Sequence, residues 1–320
     1  MTAVAARPAA RIEVIAPSGA HLSVDAFDAA VSALRARGHS VRCDVPREGW
    51  QRFSDTDDAR LEQVHRAARA KDVDVVMIAR GGYGLSRLLD RIDWALVAAS
   101  ATRGVRWVGY SDFTAFQLAL LARTGARSFA GPGVSGDFGV ATPDAFMLTH
   151  FDALVEGRLL PVQWTEAHPA SAPAVAEAID GTLWGGNLSL VAGLVGTPFL
   201  PAVEDGLLFL EDVSEHPYRV ERMLHQLLYA GVMSRQRAIV LGAFTDWKPA
   251  PHDNGYDLDA VVDYFRSRLP VPIVTGLPFG HVPRKAVLAV GERYRLESAD
   301  VGWCLAPAES AQASTEPAVS

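Results

Sequence analysis

Short apolar runs alternate with stretches of helical hydrophobic spacing through the first half of this chain. Residues 11–16, Arg-Ile-Glu-Val-Ile-Ala, predict a strand stopped by Pro17-Ser18-Gly19. Residues 24–37 keep the helical period up to Gly38, and 39–45 predict a second strand. Ser54, Asp55 and Thr56 offer capping oxygens to a helix over 53–70 that puts Leu61, Val64 and Ala68 on one face. The β-branched run at 73–79 suits a strand covered on both sides. It leads into Arg80-Gly81-Gly82-Tyr83-Gly84 and a short helix through Leu88. A strand at 105–108, a tight turn bearing Ser111 and a helix opening at Asp112 follow, then a strand and turn at 128–133 and a helix over 142–155.

The second half predicts helices at 188–195, 218–230 and 258–269, the middle one with Val220, Met223, Leu224, Leu227 and Leu228 inward. Strands are predicted at 206–210, 238–244 and 271–275, and a closing hairpin from 286–290 and 293–296 around Gly291-Glu292.

A chain of 320 residues exceeds what one hydrophobic core usually holds. Two domains are therefore expected, 1–158 and 178–306, with a Pro-rich linker at 159–177 and a disordered tail at 307–320. Strand–helix alternation makes the first an α/β domain with a doubly wound parallel sheet, and ligands bind such sheets beyond the carboxyl ends of the strands. The second domain is smaller and mixed α/β. A composition of 49% hydrophobic and 21% charged residues fits a soluble globular enzyme. The net charge of −7 argues against nucleic acid or an anionic membrane as main partner. Cys43 and Cys304 form no disulfide framework. No apolar run is long enough for a signal peptide or a spanning helix, so the cytoplasm is the expected compartment.

Three polar residues fall where strands are predicted to end: Ser111, Glu211 and His281. A hydroxyl nucleophile needs a base near neutral pKa, and histidine needs a carboxylate to fix its tautomer. Each residue also has an ordinary reading: a capping serine, a solvated or helix-start glutamate, a loop histidine. The turn 80–84 lacks the Lys-Ser/Thr of a phosphate loop and the spacing of a dinucleotide fingerprint. Metal sites are poorly supported: Glu62 and His65 lack a third ligand, and 252–257 reads as a turn and helix cap. His216 and His225 read as structural.

Several motifs together resemble the LD-carboxypeptidase family of serine peptidases, the muramoyltetrapeptide carboxypeptidases. They are Ile15-Ala-Pro-Ser-Gly19, Ala79-Arg-Gly-Gly-Tyr-Gly84, Gly109-Tyr-Ser-Asp112, Gly185-Gly-Asn-Leu188, Leu208-Phe-Leu-Glu-Asp-Val213 with Glu215, Pro217-Tyr218 and Arg222, and Gly280-His281, in the family's order. The resemblance implies a flavodoxin-like amino-terminal domain carrying Ser111 as nucleophile, and a second domain carrying Glu211 and His281 as orienting carboxylate and general base. It supports reading the N–H of Gly81 or Gly82 with that of Asp112 as an oxyanion hole. It also implies a homodimer without cofactor, releasing the terminal D-alanine of murein tetrapeptides in cell-wall recycling. By position, Arg80 could hold a substrate carboxylate or form a structural ion pair; Trp184 and Asn187 could line the cleft, with core packing the alternative for Trp184.

A second activity within the same superfamily is a microcin C-type self-immunity amidase acting on aminoacyl nucleotides, with Trp184, Trp247 or Tyr256 as a stacking ring for the base. An α/β-hydrolase elbow would need glycine two residues after the serine, where Phe113 stands. A two-lobed binding protein would use none of the chemistry.

Overall fold

The computed structural model describes residues 9–168, 173, 177–300 and 302–308. The first half runs β1 (Arg11–Ile15), α1 (Val24–Ala36), β2 (Ser40–Arg42), α2 (Asp57–Arg69), β3 (Val75–Ile78), α3 (Trp94–Thr102), β4 (Arg106–Gly109), α4 (Phe113–Thr124), β5 (Ser128–Ala130), α5 (Val134–Phe138) and α6 (Ala145–Val155). The second half runs β6 (Val162–Trp164), β7 (Ile179–Asn187), α7 (Leu188–Gly193), β8 (Leu207–Val213), α8 (Pro217–Tyr229), β9 (Ala238–Thr245), α9 (Leu258–Arg268), β10 (Ile273–Thr275), β11 (Leu288–Val290), β12 (Arg293–Ser298) and β13 (Trp303–Pro307).

In the first sheet β5, β4, β3, β1 and β2 lie side by side and all pair in parallel. That order is the flavodoxin-like doubly wound arrangement, whose direction of winding switches between β1 and β3. Every residue of β3 is buried, as its unbroken apolar sequence requires. The turns after β1 and β3 therefore flank the switch point, and the N–H of Gly19 donates to the carbonyl of Gly81 (3.1 Å).

The second sheet has the order β10-β9-β8-β7-β12-β13-β6. Its first four strands are parallel and the rest antiparallel. β6 lies within the stretch expected as a linker, while residues 169–172 and 174–176 of that stretch lie outside the described residues. So does most of the expected tail, although Pro307 closes β13.

The hairpin expected around Gly291 does not form. β11 leaves the second half of the chain and pairs antiparallel with β5 at the edge of the first sheet. β12 instead pairs with β7 and β13. All three residues of β11 are buried whereas β12 alternates, so the two strands suit different environments. α3 escaped expectation because its sequence, Trp-Ala-Leu-Val-Ala-Ala-Ser-Ala-Thr, has almost no polar face to reveal a helical period. No helix among the described residues is long and apolar enough to cross a membrane.

The halves meet where α4 approaches β7. A Cβ on Gly186 would stand 2.5 Å from the Thr114 hydroxyl, so only glycine allows this approach. The N–H of the next residue, Asn187, donates to that same hydroxyl (3.0 Å). The helix that follows Ser111 is thereby anchored to the strand beside Glu211.

Candidate active site

Ser111 stands between the end of β4 and the first turn of α4. Its φ of 63° lies in the left-handed region, which costs a non-glycine residue about 1–2 kcal/mol. The capping alternative fails at both candidate positions. The Asp112 side chain makes no capping hydrogen bond, and the Ser111 hydroxyl faces His281 instead. Asp112 is buried, and burial pushes its carboxyl above the usual range. One oxygen accepts the N–H of Leu85 (2.9 Å), tying the serine turn to the 80–84 turn.

Glu211 is not at a strand terminus, as the sequence suggested, but inside β8 at a bulge between Leu210 and Asp212. The bulge re-aims side chains along a strand. Its carboxylate is fully buried, not solvated, and one oxygen lies 2.8 Å from His281 Nδ1. The other accepts the Asn187 side-chain amide (3.2 Å). His281 Nε2 lies 3.0 Å from the Ser111 hydroxyl oxygen. Hydroxyl, imidazole and carboxylate thus form one hydrogen-bonded chain, drawn from positions 70 and 170 residues apart. The histidine backbone is fixed by Phe279, whose carbonyl accepts the N–H of Ala243 (2.9 Å).

A cavity of about 320 Å³ opens onto Ser111, bounded by Arg80, Gly81, Gly82, Tyr110 and His281. A Cβ on Gly81 would stand 2.8 Å from the Cβ and hydroxyl of Ser111, so the turn passes as close as a bare backbone can. The N–H groups of Gly81, Gly82 and Asp112 enter no backbone hydrogen bond among the described residues. The half-buried Arg80 guanidinium donates to the Ala20 carbonyl (2.8 Å), and no carboxylate pairs with it among the described residues. Burial lowers its pKa and the Arg52 cation adds to this, while Tyr110 and the Asp112 carboxyl act the other way.

Trp184 and Asn187 do not line this cavity. Trp184 is buried in the second sheet, its indole N–H on the Gln236 side chain (2.8 Å), because β7 turns that position into the core. Asn187 is buried too: it caps α7 through the N–H of Leu190 (3.3 Å) and spends its amide on Glu211 and Asp212 (2.9 Å). Trp247 packs edge-on against His216, and Tyr256 is hydrogen-bonded to Glu221, away from Ser111. Glu62 is ion-paired with Arg69, and His65 accepts the N–H of Asp93 (3.0 Å). His216 faces Asp253 (3.1 Å), and His225 packs among Tyr229, Tyr264 and Phe265. Among the described residues no group of three His, Cys, Asp or Glu side chains could hold a metal. Cys43 and Cys304 are free thiols. Two residues near the triad carry no role in the sequence reading: Tyr110, quoted there only within a motif, whose ring lies 5.0 Å from that of His281, and Lys285 beneath it. Only their positions next to Ser111 and after His281 were clues.

The family profile described as the LD-carboxypeptidase N-terminal domain matches residues 12–131, and that of the C-terminal domain matches 180–296. The murein tetrapeptide carboxypeptidase of Pseudomonas aeruginosa is 30% identical over 306 residues, 92% of this chain and 95% of that protein. The crystal structure of muramoyltetrapeptide carboxypeptidase from Oxalobacter formigenes is 42% identical, covers 92% of this chain and 97% of its own, and superposes with a TM-score of 0.84. A microcin C7 self-immunity protein shares the fold, with a TM-score of 0.81 over 95% of this chain and 99% of its own, at 19% identity. Matched in both halves by the family's two domain profiles, this chain belongs to the LD-carboxypeptidase family.

Proposed function

We propose that the chain is a serine carboxypeptidase that removes the terminal D-alanine from murein tetrapeptides, with Ser111, His281 and Glu211 as its catalytic residues. The observation that carries the reading is the unbroken contact chain from the Ser111 hydroxyl through His281 to buried Glu211. His281 Nε2 takes the hydroxyl proton as the Ser111 oxygen attacks the carbonyl preceding D-alanine. The tetrahedral oxyanion falls towards the unused N–H groups of Gly81 or Gly82 and Asp112, each such donor contributing about 3 kcal/mol to the transition state. The imidazolium returns its proton to the leaving amine, so D-alanine departs and an acyl-serine remains. Water, deprotonated by the same imidazole, then hydrolyses the ester. Glu211 stabilises the imidazolium in both halves of the cycle.

Arg80 accounts for cutting at a chain end. Its guanidinium, without an ion-pair partner among the described residues, lines the Ser111 cavity and offers paired donors to a terminal carboxylate. Arg80→Met is expected to raise KM about 10- to 100-fold, matching the ~1.5–3 kcal/mol of a charged hydrogen bond. It should also erase the preference for the free acid over a tetrapeptide whose terminal carboxylate is amidated. Equal discrimination in variant and parent would move the carboxylate site elsewhere. The reading extends to a homodimer working in the cytoplasm on recycled murein peptides.

Incubation with a murein tetrapeptide should release free D-alanine and leave a tripeptide. Hydrolysis of an aminoacyl sulfamoyl nucleotide with no D-alanine released from the tetrapeptide would overturn the substrate assignment. The cavity geometry favours the peptide, since none of Trp184, Trp247 and Tyr256 borders it.

A further inference from the structure

We propose that the buried Lys285–Asp137 pair is a positioning device for His281, locking the histidine loop onto the half of the protein that carries Ser111. This inference rests on the catalytic assignment above. The Lys285 ammonium lies 2.6 Å from an Asp137 oxygen, and the side chains are 1% and 4% exposed. Asp137 belongs to α5, at the edge of the Ser111 cavity, and its second oxygen accepts the N–H of Gly133 (2.8 Å). Lys285 comes from the other half of the chain, 148 residues on, in the segment between His281 and β11. Its ammonium also lies 3.8 Å from the centre of the Tyr110 ring. Tyr110 precedes Ser111, and its ring packs against that of His281. Lysine, tyrosine, serine and histidine therefore form one packed circuit around the reacting hydroxyl.

Two buried charges cost several kcal/mol of desolvation per ion, and a well-packed apolar pair is often the more stable choice. Burial alone does not explain this pair. What it adds is direction: the ammonium must meet a particular carboxylate oxygen and a ring face together, which allows the loop one setting. The far end of the segment is fixed as well, because the Ala286 N–H donates to the Pro278 carbonyl (2.7 Å) and β11 joins β5, next to β4. His281 is thus registered against the strand that presents Ser111, and does not depend on the two sheets closing over a ligand. Displacing a catalytic group by about 1 Å can cost 100-fold in rate.

The test compares Lys285→Met with the double variant Lys285→Met/Asp137→Leu, each shown by circular dichroism to be folded at the assay temperature. The single variant leaves Asp137 buried and unpaired, and its melting temperature should drop. The double variant should recover most of that stability, short of the hydrogen bond that the Gly133 N–H loses with the Asp137 carboxylate. If the pair positions His281, kcat stays about 10- to 100-fold down in the double variant with KM within about threefold. Labelling of Ser111 by a fluorophosphonate should slow in step. A folded double variant with parental kcat and labelling rate overturns the proposal and leaves the pair a structural tie only. Should the single variant not fold, the double variant alone decides. His281→Ala separates this inference from the reading beneath it: parental activity there removes the catalytic assignment itself. An inactive His281→Ala beside a fully active double variant removes only the positioning role.

Discussion

Ser111→Ala is expected to lower kcat for D-alanine release by about four orders of magnitude or more while leaving tetrapeptide binding nearly unchanged. Alanine has no oxygen to form the acyl intermediate, and the neighbouring N–H donors and Arg80 keep their places. The substitution should also be nearly neutral for folding. The position has a φ of 63°, and alanine bears the same left-handed cost as serine. Glycine there would relieve about 1 kcal/mol and raise stability with the activity equally lost. Binding of tetrapeptide by calorimetry, melting temperature and D-alanine release read the three properties separately. Residual turnover above a tenth of the parental rate, in protein freed of parental contamination, would take the nucleophile away from Ser111. His281→Ala should lose activity on a similar scale, since the hydroxyl is then left without a base 3.0 Å away.

The local parts of this site could be read from the chain because each lies in a short segment whose chemistry is self-contained. The strand–turn–helix around Ser111 and the glycine turn at 80–84 announce themselves by an apolar run followed by small residues. Glu211 is marked by its place after an apolar run, although the strand continues to Val213 and holds it at a bulge. What could not be read is pairing at a distance. The glycine pair inside β7 carries no sign that Thr114 of α4 packs against it. Asn187 looks like a cleft residue, but its amide meets two carboxylates that the sequence places more than twenty residues on. The 286–290 run is apolar enough for any sheet, and only the burial of every residue in β11 tells the first sheet from the second. Nothing in the neighbouring sequence marks Lys285 as buried, and the carboxylate that lets it be buried is 148 residues away. Propensity and periodicity do not carry such information, because strand register and ion pairing are decided by the packed tertiary environment.

Glu211→Gln should keep the fold and lower kcat by about 10³- to 10⁴-fold with little change in KM. The amide matches the carboxylate in shape but can satisfy only one of its two neighbours. With its oxygen towards His281 Nδ1, its NH₂ confronts the Asn187 NH₂, donor against donor, where the carboxylate now accepts at 3.2 Å. Flipped, it accepts from Asn187 and donates to Nδ1, forcing the imidazole proton onto Nε2. That nitrogen then faces the Ser111 hydroxyl as a donor and can no longer take its proton. In either setting the charge that stabilises the imidazolium is gone, and position 211 is fully buried, so no water replaces the carboxylate there. Steady-state kinetics give the split between kcat and KM. The strongly downfield proton resonance expected for Nδ1–H···Glu211 should disappear from the variant's spectrum. A folded Glu211→Gln enzyme with kcat within threefold of the parent would mean that this carboxylate only braces the histidine loop, and that another group supplies the charge opposite the imidazolium.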